Sequence, residues 1–465
     1  MTAVSVAVVS RNNRSIAASS PDASNANGMI GPRNCRGDKI VADSLQQGDQ
    51  FGYAIDLSGE TMLVGAPWSS PQGEESGTAY IFRRDQQGDN AWIEEAGIYP
   101  DDGMAGNKFG VKLSLNEAGD VAVISADQDE QGKGAVYVFS RSVSNPGIEN
   151  GNGPTAVQWT LQAKLMADDA TDAAQFGDSV DMYGDTIVIG ASYPDQWGEA
   201  GAVYIFEKDG SGAWVQTDEL LPSDANDSSA VESIRFGRSV ALAGENVLVV
   251  GADNYDPNGQ YSGSAYIFRR TIDPENGQPL WLEEAKLIPD EGGEAQYFGY
   301  HVDIDDIGST VVISCWKDGK VIARGTAEKA PKTEQIGSAY VFAHNANLDQ
   351  WTQQAKIIAE DGEPGDRFGN SVSISGDGDT LLIGAYNDDE RRGSAYVFLR
   401  DDEGDASSSS WRQAMKLQAG NVSAVKEFAF QVILDGTTAA ISEDRDSDNE
   451  NEAGAIHVYG IDECL

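Results

Sequence analysis

One dipeptide recurs through the chain and constrains its fold more than any other feature. A Phe-Gly pair returns about every 60 residues, and in a seventh, degenerate copy Ala429 replaces the glycine. The copies open at Phe51, Phe109, Phe176, Phe236, Phe298, Phe368 and Phe428. A regular period of this kind is typical of a chain that repeats one supersecondary unit. We therefore expect a single repeat architecture rather than several unrelated domains.

Each copy predicts four short strands. In the sixth copy, residues 372–374 alternate between apolar and polar, residues 380–383 are a short apolar run, and residues 394–398 alternate again. Trp411 then opens a fourth strand, and five other copies have a tryptophan at the corresponding place. Four antiparallel strands per copy correspond to one propeller blade. The sequence thus predicts an all-β fold, a seven-bladed β-propeller of four-stranded antiparallel blades.

The last copy is too short to hold its own fourth strand, because the chain ends soon after the third. Residues 39–43, KIVAD, match the fourth-strand sequence AKLMADD of residues 163–169. We predict that this N-terminal strand pairs beside residues 454–459, completes the last blade and closes the ring. Residues 1–37, rich in Ser, Asn, Ala and Gly, are predicted to be a disordered tail, and residues 38–465 to be the propeller.

The same closure predicts a disulfide. Cys35 precedes the closing strand and Cys464 follows the third strand of the last blade, so antiparallel pairing would bring these two ends together. A bridge between Cys35 and Cys464 would close a very long loop. The alternative is two unrelated free thiols. Cys315, in a predicted second strand, is expected to be a small buried residue.

Charge and hydropathy exclude several classes of partner. The formal net charge is -43 and the isoelectric point is about 4.1, so phosphate repulsion opposes binding of nucleic acid or an anionic membrane. No apolar run approaches the roughly 20 residues that a bilayer-spanning helix needs. The apolar residues 4–9 lack a basic segment before them and do not form a convincing signal peptide. We expect no membrane insertion.

The segment FGYAIDLSGETMLVGAP at residues 51–67 resembles the naming motif of the FG-GAP repeat family, whose propellers form the head of integrin alpha subunits. The resemblance covers roughly residues 38–460. It implies a seven-bladed propeller and a location outside the cell or on its surface. The family does not by itself define a function, because one fold hosts many functions.

Integrin-like repeats hold calcium in a turn of the form D-x-D-x-D-G between the first and second strands, and the resemblance implies candidate sites here. Most of the corresponding turns are cut short. Two fuller versions carry Asp303, Asp305 and Asp306 in the fifth copy, and Asp377 and Asp379 in the sixth. Ordinary turn-forming aspartates are the alternative.

Strand order places the connections between second and third strands on the same face as the connections between blades. Both sets are acidic, and the candidate ligand residues among them are Asp195, Asp253, Asp388 and Asp389. Three tryptophans also lie in these loops, where they could stack on a sugar or a cationic side chain: Trp68, Trp197 and Trp316. The alternative is that each tryptophan folds back onto its own blade.

The sequence shows no catalytic constellation. Its three histidines lack metal-ligand spacing, and no nucleophile elbow or phosphate loop is present. We therefore predict a monomeric, non-catalytic extracellular recognition module that binds a protein or glycan on the acidic loop face and requires no cofactor, with Ca²⁺ as a candidate ion. Two alternatives stay open: a carbohydrate-active enzyme that uses two of the carboxylates, and an acidic cation-binding scaffold of a wall or matrix.

Overall fold

A computed structural model describes the chain from residue 37 onward. The described ranges are 37–86, 90–144, 156–169, 175–193, 200–225, 234–254, 261–275, 277–291, 293, 296–322, 332–401, 410–419, 427–445 and 453–465, with the main chain alone for 320–322 and 332–334. The predicted tail, except Gly37, lies outside these ranges. Within them, no helix is long and apolar enough to cross a bilayer.

The described residues form short strands separated by turns, with three helices of four residues each. The strands are β1 (Asp38–Ile40), β2 (Ala54–Ser58), β3 (Thr61–Ala66), β4 (Thr78–Arg84), β5 (Trp92–Ile98), β6 (Leu113–Leu115), β7 (Val121–Ala126), β8 (Ala135–Ser144), β9 (Ala156–Leu165), β10 (Ser179–Tyr183), β11 (Thr186–Ala191), β12 (Ala202–Lys208), β13 (Trp214–Leu220), β14 (Phe236–Ala243), β15 (Val247–Ala252), β16 (Ser264–Ile272), β17 (Pro279–Leu287), β18 (Val302–Ile304), β19 (Thr310–Cys315), β20 (Gly319–Ile322), β21 (Lys332–Gln335), β22 (Ser338–Asn345), β23 (Gln350–Ile357), β24 (Val372–Ile374), β25 (Thr380–Ala385), β26 (Ser394–Asp401), β27 (Ser410–Leu417), β28 (Phe428–Asp435), β29 (Thr438–Glu443) and β30 (Ala455–Gly460). The helices are α1 (Asp129–Gly132), α2 (Asp388–Arg391) and α3 (Ile461–Cys464).

These strands form seven four-stranded antiparallel sheets, so the predicted seven-bladed β-propeller is confirmed. Six sheets contain four strands in chain order, and β20 with β21 adds a separate hairpin to the fifth blade. The first strands of successive blades contact one another in cyclic order, and β2 of the first blade contacts β28 of the last. These seven strands therefore surround one axis.

The seventh sheet has the order β1-β30-β29-β28. The N-terminal strand β1 lies antiparallel to β30, with Asp38 opposite Val458 and Ile40 opposite Ile456. Its strand bounds are Asp38–Ile40, shorter than the segment 39–43 that the sequence suggested. The main-chain N–H of Phe51 donates to the carbonyl of Ala453 at 2.8 Å, which joins the first blade to the last.

The Phe-Gly pair joins each blade to the one before it. The Phe109 ring lies edge-on to Tyr137 of its own blade at 5.6 Å, while its N–H donates to the carbonyl of Ser76 in the preceding blade. The glycines permit the backbones to touch: a Cβ on Gly65 would lie 2.0 Å from the carbonyl oxygen of Gly110 in the next blade. Small residues at the ends of second strands therefore let the backbones of adjacent blades meet.

Candidate functional site

The residue before each Phe-Gly pair has an unusual backbone. All seven are non-glycine residues with positive φ, between 51° and 59°: Gln50, Lys108, Gln175, Arg235, Tyr297, Arg367 and Glu427. Non-glycine residues rarely adopt this conformation, and here it recurs once per blade. It lies where the chain enters the first strand from the loop face, so the sevenfold architecture itself sets these side chains around the axis.

Aromatic rings from separate blades meet at this end of the axis. Tyr53 lies 4.7 Å from the ring of Trp68 and 5.5 Å from Phe430, and Phe430 lies 5.6 Å from Tyr386. Farther round, Trp316 contacts Tyr300 at 5.6 Å. Such edge and tilted contacts are the favoured geometries of aromatic pairs.

Cationic side chains lie against several of the rings at this end of the axis. The Arg367 guanidinium lies 5.1 Å from both Tyr386 and Trp316, and Arg238 lies 4.7 Å from Tyr300. Lys108 lies 5.2 Å from Trp68. Each distance is within the range of a cation–π attraction.

We call this set the axial mouth. Arg238 also pairs with Asp178 of the third blade at 3.0 Å, so the chain of contacts involves all seven blades. The axial mouth comprises Tyr53, Trp68, Lys108, Arg238, Tyr300, Trp316, Arg367, Tyr386 and Phe430. In a chain with a formal net charge of -43, this set consists of aromatic and cationic side chains.

A cavity of about 620 Å³ opens beside the mouth. Trp68, Arg367 and Phe430 line it, together with Gln50, Tyr53, Tyr386, Asn387, Arg391, Glu427, Asp444 and Arg445. This volume is in the range of ligand-binding pockets, and its lining combines apolar rings with a few charged groups.

Some of the buried polar atoms that make no hydrogen bond within the described residues lie around the same end of the axis. They include Asp127 Oδ1, Arg235 Nε, Arg238 Nε, Asp253 Oδ1, Trp316 Nε1 and Asp444 Oδ1. Buried polar groups in folded proteins are nearly always hydrogen-bonded. Those at this end of the axis leave donors and acceptors for a group from outside the blades.

Two of the predicted ligand tryptophans, Trp68 and Trp316, lie in the axial mouth. Trp197 and Asp195 fall outside the described residues. Asp253 is fully buried and pairs with Arg235 at 3.4 Å. Asp389 is exposed and pairs with Arg392 at 3.2 Å. The mouth therefore brings together the tryptophans, whereas Asp389 belongs to the outer part of the face.

Asp388 is part of a bond set that recurs between strands. It is buried, accepts the hydroxyl of Tyr396 at 2.9 Å and pairs with Lys416 at 2.6 Å. Equivalent sets are Tyr137–Asp129–Lys164 in the second blade and Tyr340–Asp318–Lys356 in the fifth. In the fourth blade, Tyr266 and Lys286 bind Asp224 of the preceding connection instead. These acids join loops to third and fourth strands, so their geometry gives them a structural role.

The candidate calcium residues make hydrogen bonds in turns and between blades. Asp305 is buried and accepts the N–H of Ser309 at 2.6 Å, and Asp377 accepts the hydroxyl of Ser375 at 2.5 Å. Asp379 pairs with Arg400 at 3.6 Å. Among the described residues, no group of three His, Cys, Asp or Glu side chains is arranged to hold a metal ion.

The other two calcium candidates, Asp303 and Asp306, lie in different elements of the fold. Asp303 lies in β18, where its carboxylate accepts the N–H of Ile374 in the next blade at 2.8 Å. Asp306 is exposed in the turn that follows, and the nearby Asp435, Asp305 and Asp377 add to burial in raising its pKa. Calcium binding by any of the five stays a prediction.

Below the mouth, the first strands enclose an axial cavity of about 160 Å³. Its charged and polar lining includes Asp56, Lys112, Asp181, Arg238, His301 and Asp303. Burial raises the pKa of Asp56 to about 8, of Asp181 to about 6 and of Asp303 to about 7. Asp56, Asp181 and Asp303 lie at the same position of their copies, five residues after the opening Phe, and of these six lining residues only Asp303 was predicted as a site residue.

The predicted disulfide between Cys35 and Cys464 is not tested by the described residues. Cys464 is 2% exposed in α3, and Cys315 is a buried free thiol in β19, as expected. Cys35 lies outside the described residues. The Cys35–Cys464 bridge therefore stays a prediction.

Comparison with known proteins adds to this geometry. The profile of the FG-GAP repeat matches residues 37–82, 92–139, 159–206, 214–268, 281–342, 351–398 and 411–459. Human integrin alpha-X is 30% identical over 212 residues, covering 43% of this chain, and human integrin alpha-D is 27% identical over 275 residues, covering 54%. The matches span 16% and 21% of those two relatives.

A solved structure with the same general fold is that of the RRP9 WD40 repeats. It superposes with a TM-score of 0.51 and 7% sequence identity, covering 92% of this chain and 98% of that one. At this identity the likeness shows the propeller fold alone.

Proposed function

The chain belongs to the FG-GAP repeat family, and from this premise we propose that it is a non-catalytic recognition module that binds a protein partner at the axial mouth. The observation that carries the proposal is the chain of aromatic and cationic contacts around the axis, to which six of the seven blades contribute. The relationship to integrin alpha chains supports a binding role outside the cell or at its surface.

The composition of the mouth favours a protein partner. Trp, Tyr and Arg are the residues most enriched among those that contribute most to protein–protein binding, and they form most of this set. Trp68, Trp316 and Arg367 are half-buried, so each is fixed by its neighbours while still exposing part of its surface. A side chain that is already ordered loses little conformational entropy when a partner binds.

A glycan is the second candidate, because a tryptophan or tyrosine face can stack on a sugar ring. The same observation favours the protein partner more strongly, since arginine or lysine groups already stand against Trp68, Trp316, Tyr300 and Tyr386. A sugar would have to displace these cations or stack on the remaining exposed faces.

The proposal is tested by capture with a matched pair of variants. The tagged propeller, the Trp68→Ala/Trp316→Ala variant and the Ile307→Ala variant are each incubated with detergent-solubilised surface proteins of the source cells. Ile307 is 78% exposed in the turn after β18, on the face opposite the mouth. Bound proteins are quantified by mass spectrometry, and thermal unfolding checks that all three variants are folded.

We expect one or more proteins to be enriched by the wild type and by Ile307→Ala, and lost with Trp68→Ala/Trp316→Ala. Equal capture by all three would remove the axial mouth as the binding site. The proposed absence of catalysis is tested by incubating the propeller with a panel of polysaccharides. Release of reducing ends or unsaturated sugars that depends on the propeller would overturn this part of the proposal.

A further inference from the structure

The axial cavity has its cationic groups gathered toward the mouth. Arg238 and Tyr300 belong to both the mouth and the cavity lining, so the cavity lies directly beneath the mouth. Lys112 and His301 line the same part, since both interact electrostatically with Arg238. The carboxylates of Asp56, Asp181 and Asp303 instead bind main-chain N–H groups of neighbouring blades.

Lys112 is a charged side chain without a bonded counter-ion. Within the described residues, no carboxylate forms an ion pair with its ammonium group and no hydrogen bond reaches it. Burial lowers its pKa to about 8, Arg238 acts in the same direction, and Asp178 and Asp127 act against it. The Lys112 side chain is half-buried, and an anion in the cavity would give its ammonium group a counter-ion.

Arg238 offers a second donor. One of its terminal nitrogens pairs with Asp178 at 3.0 Å, and its guanidinium lies against the ring of Tyr300. Its Nε is buried and makes no hydrogen bond within the described residues. This N–H is therefore not used by the contacts that hold the side chain in place.

His301 offers a third donor. Its Nδ1 accepts the main-chain N–H of Val372 at 3.5 Å, so the neutral ring carries its proton on Nε2. Burial and the nearby Lys112 and Arg238 charges lower the pKa of His301 to about 3, which keeps the ring neutral at pH 7. A neutral imidazole donates a hydrogen bond without adding a third charge.

We propose that Lys112, Arg238 and His301 bind one carboxylate group that enters the axial cavity from the mouth. A single carboxylate adds the least negative charge beside Asp178, which pairs with Arg238, and Asp127, whose pKa burial and Asp178 raise to about 6. A doubly charged phosphate would add charge in a chain that is already strongly acidic. At about 30 Å³ per water, the cavity holds about five waters, enough room for a carboxylate.

The carboxylate could come from an Asp or Glu side chain of a protein partner or from a free small acid. The first source rests on the proposed function, since the partner would place its acid along the axis. Carboxylate binding itself is measured without any partner, so its failure is distinguishable from a failure of the capture experiment.

The test uses the full chain and three probes. Carboxyl-labelled acetate, the peptide acetyl-Gly-Asp-Gly-amide and its Asn counterpart are titrated while the Cε signals of labelled lysines are followed by NMR. We expect a saturable shift of the Lys112 signal with acetate and a rise in the pKa of Lys112 on saturation. Saturation by the Asp peptide but not the Asn peptide assigns the site to a partner's side chain, and saturation by acetate alone assigns it to a free acid.

Two variants establish the location. Lys112→Met is expected to weaken acetate binding at least tenfold, whereas Lys208→Met, which removes an equivalent charge at the end of β12, leaves it unchanged. The wild-type titration keeps the test valid even where Lys112→Met fails to fold. The proposal is overturned if neither acetate nor the Asp peptide moves the Lys112 signal, if phosphate alone does so, or if folded Lys112→Met binds acetate as tightly as wild type.

Discussion

At the scale of single residues, the acids of the loop face divide into those that hold the blades together and those that face solvent. Asp129 is 1% exposed and accepts the Tyr137 hydroxyl at 2.6 Å and the Lys164 ammonium at 2.8 Å. Asp101, in the preceding loop, is exposed. Sequence reasoning counted both kinds together, because an Asp in a loop looks the same whether or not a lysine from a neighbouring strand reaches it.

This difference between buried and exposed acids can be tested by substitution. Asp129→Ala is expected to lower the free energy of unfolding by about 3 kcal/mol, since it removes the acceptor of the buried Asn107 amide, the shorter of two hydrogen bonds from the Tyr137 hydroxyl and part of the charge that faces Lys164. Asp101→Ala is the control and should change stability by less than about 0.5 kcal/mol. Denaturant unfolding measures both, and equal effects would show that Asp129 is no more structural than a surface acid.

At the scale of elements, the first strands bind one another through side chains as well as by packing. Asp56 accepts the N–H of Leu115 in the next blade at 2.6 Å, and Asp181 accepts that of Leu242 at 2.7 Å. In the sixth blade Ser373 has the equivalent role toward Leu434 at 3.1 Å. Asp303 belongs to this series. It lies in a strand, whereas the other calcium candidates lie in turns.

These strand carboxylates predict a pH dependence of stability. The pKa of Asp56 rises from an ordinary value of 3.8 to about 8 in the folded chain, mainly by burial. The folded state therefore binds more protons than the unfolded state between these values, and this contribution is complete below pH 3.8 and lost as the pH rises to about 8.

Asp56→Asn should accordingly flatten the fall in stability between pH 5 and 8. A single group that titrates in this way contributes a slope of up to about 1.4 kcal/mol per pH unit. Urea midpoints measured at several pH values for wild type and Asp56→Asn give the comparison. Parallel curves would mean that Asp56 titrates at its ordinary pKa despite its position.

At the scale of the whole molecule, the repeat predicted the ring but not the site. Seven copies of Phe-Gly fix the number of blades, and the likeness of residues 39–43 to other fourth strands placed β1 beside β30. The axial mouth could not be predicted from the repeat in the same way. Tyr53, Tyr300 and Phe430 occupy the same position, two residues after the opening Phe of their copies, yet they lie far apart in the sequence.

An aligned set of copies would have shown three aromatic residues in that position. It would not have shown that Tyr53 contacts Phe430 or that Arg367 stands between two rings, because those distances depend on the curvature of the ring. The sequence identified Trp68 and Trp316 as loop residues whose rings could stack on a ligand. The structure shows which side chains pack against those rings.

The predicted disulfide acts at the same scale, since it would link the two ends of the propeller. If Cys35 and Cys464 are bonded, Cys35→Ser and Cys464→Ser should each lower the free energy of unfolding, by on the order of 4–5 kcal/mol in the chain-entropy estimate. Wild type treated with reductant should unfold like Cys35→Ser. A loss in Cys464→Ser alone would instead reflect its buried position, and would contradict the bridge.

Site-directed photo-crosslinking would detect a partner bound at the axial mouth without relying on a loss of binding. A photoreactive benzoylphenylalanine replaces Arg445, whose half-exposed side chain lies at the rim of the larger cavity, or Ile307 on the opposite face. Each protein is irradiated with the surface-protein extract, with excess unmodified propeller as competitor. We predict a discrete, competitor-sensitive adduct from position 445 and none from position 307. Adducts from position 307 alone would contradict binding at the axial mouth.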